Sequence, residues 1–141
     1  MNTSDSKERP HIGSCHCGAV RFAATLDTSA GNRCNCSVCT RVASTTGIVQ
    51  PEAFTLLRGE SELTGYEWGG RTGTRYFCKH CGVTCFGRGF LAELGGPYVS
   101  VNFNCLEDID VSDVAVQYWD GRHDNWQAGT RSSPWPVFSV A

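Results

Sequence analysis

No stretch of this chain approaches the ~20 consecutive apolar residues that a membrane helix requires, so no membrane partner is expected. A secretory leader is missing too: the first twelve residues, MNTSDSKERPHI, are polar, carry both signs of charge and hold no apolar block. Runs of like charge are absent. Twelve basic against fourteen acidic side chains leave a formal net charge of -2, which argues against a nucleic-acid-binding surface or an anionic-membrane partner. Internal repeats and low-complexity tracts are lacking, and helical patterns are scarce. At 141 residues the chain can bury one usable core, which predicts one domain, residues 13–141, behind a mobile tail over residues 1–12. The same absences predict a cytoplasmic protein acting on small, neutral or modestly charged partners.

What the chain has instead is cysteine. Nine cysteines are too many to carry as incidental free thiols, and an odd count disfavours a purely disulfide framework. In a reducing compartment, closely spaced cysteines are more often metal ligands than bridges.

The rest of the pattern is β-rich. From Ala19 to Leu26, Val20, Phe22, Ala24 and Leu26 fall on one side of an extended chain, the mark of a strand with one buried face. Similar short stretches recur at residues 47–50, 54–58, 62–68, 74–78, 83–86, 98–104 and 114–119. Sixteen glycines, with pairs at Gly69-Gly70 and Gly95-Gly96, punctuate them. Only residues 37–43 suit a short helix, with Ser37 as a possible cap. The segment TRSSPWPVF, holding Pro134 and Pro136, reads as extended and irregular.

Seven of the nine cysteines lie in three local motifs: Cys15-His16-Cys17, Cys34-Asn35-Cys36-Ser37-Val38-Cys39 and Cys78-Lys79-His80-Cys81. In the third, the two intervening residues let the chain turn around a metal, and Gly82 can take the positive φ such a knuckle needs. In the first, side chains two apart on extended chain share a side, with Cα atoms about 6.5 Å apart. Zn–S bonds of about 2.3 Å put two sulfurs of a tetrahedral site roughly 3.8 Å apart, so this pair need only lean together. Each pair supplies half a tetrahedron. The simplest arrangement joins Cys15 and Cys17 to Cys78 and Cys81 in a closed structural zinc site, contributing on the order of 10 kcal/mol to folding. Buried, unmetallated thiols are the bland alternative.

Cys34, Cys36 and Cys39 supply three corners of a tetrahedron and leave the fourth open, the pattern of a catalytic zinc. With three thiolates the ion is a poor acid for activating water and well suited to exchanging a soft sulfur ligand. Cys85, Cys105, His80 or His123 could instead close the site. Cys85 and Cys105 sit in apolar surroundings and read more readily as buried small hydrophobes. Arg41, Arg71, Arg75 and Arg88 could meet carboxylates of a ligand, or could each be solvated surface residues.

In order and spacing, GSCHCGAVRF, CNCSVCTR, RYFCKHCG and VSVNFNCLED resemble the glutathione-dependent formaldehyde-activating enzyme family, which includes centromere protein V-like proteins. The resemblance runs from about Gly13 to Asp108, and SPWPVF is similar to the family's C-terminal segments. It implies a β-tent fold, a structural zinc on Cys15, Cys17, Cys78 and Cys81, and a catalytic zinc on Cys34, Cys36 and Cys39. It also implies a carbon–sulfur lyase that forms or cleaves the S-hydroxymethyl adduct of a small-molecule thiol, glutathione, with formaldehyde or another small electrophile. The same scaffold could instead act on another thiol–electrophile pair, or serve as a non-catalytic zinc-binding interaction module. Two residues depart from the family pattern: Asn35 stands where a histidine is usual, and Thr40 where a second arginine often precedes the position after it.

Overall fold

The computed structural model describes residues 7–68 and 73–138. Ten strands form two sheets. The smaller is antiparallel, in the order β1 (Arg9–Ser14), β2 (Arg21–Leu26), β5 (Phe54–Arg58). The larger holds β3 (Ala30–Cys34), β4 (Thr46–Val49), β6 (Leu63–Glu67), β7 (Gly73–Cys78), β8 (Thr84–Leu91), β9 (Gly96–Asn102) and β10 (Ala115–Trp119). Their order across the sheet is β10-β3-β4-β9-β8-β7-β6. Among the described residues the single α-helix, α1 (Ser37–Val42), follows β3.

Alternation decides which faces are buried. On β2, Phe22, Ala24 and Leu26 point into the core, while Val99 and Val101 of β9 come from the larger sheet. The Phe22 ring stacks on Phe54 with centroids 5.4 Å apart and meets Phe86 of β8 at 6.1 Å. Phe54 and Phe86 approach to 4.6 Å, so one aromatic cluster cements both sheets. The pair β3–β10 is parallel and sets Trp119 beside Cys34, which brings the chain after β10 against the middle cysteine motif.

Several expectations need correction. The predicted tail does not hold for Arg9–Ile12, which form β1; residues 1–6 lie outside the described residues, as do Gly69, Gly70 and Arg71. His11, assigned to that tail, is buried, and its Nδ1 lies 2.8 Å from Asp108 Oδ1. The strands β1 and β3 were not anticipated. Ser37 is not the cap of α1: Cys36 is, its Sγ accepting from the Cys39 N–H at 3.4 Å. The segment from residue 130 to 138 is irregular as expected, joined to β10 by the Tyr118–Arg131 bridge.

Candidate functional site

The first and third motifs occupy turns between antiparallel strands. Cys15 follows β1, and its N–H donates to Val20 O at 3.1 Å; Cys78 ends β7, and its N–H donates to Val83 O at 3.0 Å. Each turn closes with a glycine at positive φ, Gly18 at 84° and Gly82 at 78°, which L side chains resist. These hairpins belong to different sheets, yet their four sulfurs all lie within 4.8 Å of one another. Cys15 Sγ is 3.7 Å from Cys17 Sγ, which is 3.6 Å from Cys78 Sγ. Those spacings fit the roughly 3.8 Å edge of a tetrahedral zinc–thiolate site. Backbone N–H groups of Val20 and His80 donate to Cys15 and Cys78 at 3.3 and 3.4 Å, as expected around thiolates.

The second set is Cys34, Cys36 and Cys39, whose sulfurs also lie within 4.8 Å of one another. Cys34 ends β3, Cys36 caps α1 and Cys39 sits in its first turn, so a strand–helix junction gathers three sulfurs within six residues. The Cys36 N–H donates to Cys34 Sγ at 3.4 Å. Hydrogen bonds from the Cys34 and Cys39 thiols hold Cys36 well below the ordinary thiol value, and contacts with the Cys34 and Cys36 sulfurs push Cys39 up. Thiolates this close repel one another without a cation, and a divalent ion would let all three ionise.

No fourth Cys, His, Asp or Glu joins this set among the described residues. His80 Nε2 lies 2.7 Å from Glu62 Oε1, and His123 Nδ1 lies 2.7 Å from Asp120 Oδ1. Cys85 and Cys105 are buried, their thiols turned to the carbonyls of Val83 and Thr84. Cys39 instead faces a cleft of about 160 Å³ lined also by Thr46, Arg75, Arg88, Tyr98 and Ser100. A second, more open cleft of about 570 Å³, lined by Val38, Arg41, Tyr66, Trp68 and Phe77, shares Arg75 as a wall. Neither cleft is lined by Asp or Glu among the described residues. Of the candidate arginines, Arg75 Nη2 donates to Cys39 Sγ at 3.4 Å, Arg41 donates to Ser37 O at 2.9 Å, and Arg88 lies over the rings of Phe54 and Phe86.

Sequence reasoning missed the support behind the cluster. Asn35 Nδ2 donates to Asp120 Oδ1 at 2.8 Å and to Pro136 O at 3.3 Å, while Asn35 Oδ1 accepts the Arg122 N–H at 2.9 Å. Burial works against the charge on Asp120, but hydrogen bonds from Asn35, His123 and Asn125 outweigh it and hold the carboxyl below its usual value. At Gly121 an added Cβ would fall 2.5 Å from Cys34 Sγ and 2.7 Å from Trp126 Cη2, so only glycine fits. The Asp120-Gly121 dipeptide after an apolar strand was the one local sign of this turn.

A sequence profile of the glutathione-dependent formaldehyde-activating enzyme family matches residues 10–122. A protein of Penicillium rubens is 34% identical over 99 residues, covering 66% of this chain and 50% of that protein. One of Halomonas elongata is 40% identical over 78 residues, covering 49% of this chain and 50% of that protein. Both carry the provisional name glutathione-dependent formaldehyde-activating enzyme, and the chain spans about half the length of these curated relatives. The crystal structure of a Rhodobacter sphaeroides protein, 30% identical, matches with a TM-score of 0.65 over 72% of this chain and 93% of that one. In the described residues no helix is long and apolar enough to cross a membrane. With the profile running through all three cysteine motifs and the fold mainly β, the chain belongs to the glutathione-dependent formaldehyde-activating enzyme family.

Proposed function

We propose that this protein is a zinc-dependent carbon–sulfur lyase that forms or cleaves the S-hydroxymethyl adduct of a thiol, with glutathione as the thiol and formaldehyde as the electrophile. The observation that carries this reading is a three-sulfur set whose Cys39 lines a cleft walled by Arg75 and Arg88 and, among the described residues, free of acidic side chains. Cys34, Cys36 and Cys39 hold the catalytic ion, and Cys15, Cys17, Cys78 and Cys81 hold a structural one, within a single zinc domain spanning residues 13–141. Zinc held by Cys34, Cys36 and Cys39 would lower the proton affinity of an incoming thiol.

The chain's own residues supply the rest. Arg88 lines the smaller cleft with Cys39, Arg41 lines the larger cleft, and both can meet carboxylates of the thiol through charge-assisted hydrogen bonds. Confinement in the smaller cleft holds sulfur and carbonyl carbon together, which replaces a bimolecular encounter with a positioned one. In the forward direction the thiol proton leaves to solvent, the sulfur lone pair forms the S–C bond, and the carbonyl π pair moves to oxygen, which takes up a proton.

The test is NMR exchange spectroscopy on glutathione and formaldehyde mixtures. The metal-loaded protein is expected to broaden the adduct resonances beyond the spontaneous rate, and chelator treatment to abolish the effect. Spectra indistinguishable from the protein-free mixture would refute formaldehyde activation. A second reading keeps the chemistry and changes the thiol. It is favoured by the absence, among the described residues lining the clefts, of a carboxylate to pair with glutathione's ammonium group, and it expects faster exchange with mercaptoacetate than with glutathione.

A further inference from the structure

The two cysteine sets have the same ligand chemistry and different surroundings. Sulfurs of both sets accept from backbone N–H groups, so the difference lies in the side chains around them. Among the described arginines only Arg75 reaches a cysteine sulfur, its Nη2 standing 3.4 Å from Cys39 Sγ. We propose that Arg75 is a positioning residue that balances the charge of the three cysteine thiolates, so that the centre can take an anionic sulfur as its fourth partner. The inference rests on reading Cys34, Cys36 and Cys39 as a zinc centre.

Charge counting carries it. Three thiolates and a divalent ion sum to -1, and a fourth thiolate would bring the sum to -2 in a half-buried place, where like charge repels strongly. A guanidinium in contact with Cys39 returns these sums to 0 and -1. Arginine stays protonated at every relevant pH, so the compensation is permanent.

Location agrees with the role. Arg75 lies in mid-β7, paired with Gly87 of β8 on one side and Tyr66 of β6 on the other, so its backbone is fixed by two neighbouring strands. Its side chain lines both clefts, the smaller of which Cys39 lines as well. No ion pair to a carboxylate is found for it among the described residues, which leaves its charge free for the sulfur. Arg9 and Arg21, by contrast, are paired with Asp108 and Glu107.

The experiment uses the full chain loaded with cobalt(II) in place of zinc and titrated with 2-mercaptoethanol, a thiol with no charged group. Growth of the sulfur-to-cobalt charge-transfer band reports the fourth sulfur. Arg75→Met is expected to weaken thiol uptake about tenfold, whereas Arg75→Lys, which keeps the charge, stays within about threefold of the parent protein. Equal uptake of 2-mercaptoethanol by Arg75→Met and the parent, with glutathione alone weakened, would overturn the inference, because Arg75 would then serve a ligand carboxylate. Loss of cobalt by both variants would overturn it as well, since the residue would be holding Cys39 in place. Failure of the parent protein to take up any thiol would defeat the reading of an open centre itself, an outcome distinct from the other two.

Discussion

Gly121 offers the sharpest separation of the two cysteine sets, because it touches one and not the other. In Gly121→Ala the new methyl group would stand 2.5 Å from Cys34 Sγ, about 0.9 Å inside the 3.4 Å at which ordinary contact begins, and 2.7 Å from Trp126 Cη2. Metal–ligand distances tolerate about 0.2 Å, so a displacement of that size removes Cys34 from a shared tetrahedron. Overpacking of this kind costs about 1–3 kcal/mol, which for a chain of this length lowers Tm by about 3–12 °C and leaves it folded. The assay is metal analysis of the purified variant beside a thermal melt. Zinc content is expected to fall from two ions per chain to one, the remaining ion resisting chelator as in the parent. Retention of two ions with unchanged chelator resistance would refute both the placement of Cys34 and the reading of glycine as a steric requirement.

Cys36→Ser is expected to abolish adduct exchange while moving Tm by only a few degrees, whereas Cys78→Ser removes the other ion and unfolds much of the chain; circular dichroism and metal content distinguish the two. Phe22→Ala empties the centre of the aromatic cluster and should cost about 3–5 kcal/mol, read as a lower urea midpoint at a similar m-value. The hydrogen bond from buried His11 holds the Asp108 carboxyl below its ordinary value. That bond therefore stabilises the fold above the unfolded carboxyl value near ~4 and is lost as pH falls through the lower folded value. Asp108→Asn should flatten that part of the acid-unfolding curve, by a modest amount because the carboxylate is partly exposed.

Legibility in the sequence followed distance along the chain. β2 was readable because Phe22, Ala24 and Leu26 alternate with outward residues. β1 was not, because its inward residues are His11 and Gly13, and β3, with the sequence AGNRC, presents no apolar alternation at all. β8 runs to Leu91, beyond the expected end at Phe86, because Gly87 and Gly89 read as turn residues; the Tyr98 ring of β9 in fact lies over Gly89, where a side chain would collide. Metal ligands are the opposite case. Each motif chelates locally, so two-apart and three-apart spacings showed themselves without knowledge of the fold. The contacts from Asn35 to Asp120 and from Cys39 to Arg75 depend on strand order in the larger sheet, which no local pattern announces.

The position of each set in the sheets accounts for the unequal roles given to them. Cys15 and Cys17 hang from the β1–β2 hairpin of the smaller sheet, and Cys78 and Cys81 from the β7–β8 hairpin of the larger. An ion held by all four joins two sheets that otherwise meet through side-chain packing around Phe22, Phe54 and Phe86. Cys15 and Cys78 are buried, so thiols left there without a cation would be desolvated and crowded, and removing the ion strikes the core directly. Cys34, Cys36 and Cys39 all lie on one strand–helix junction, half-buried, and join nothing that β3 and α1 do not already join. Loss of an ion from that set would be expected to leave the sheets intact. On the proposed reading, a protein that opens one metal position to a ligand without loosening its frame needs that separation, and the topology would provide it by setting one cysteine set between the sheets and the other on a single strand–helix junction.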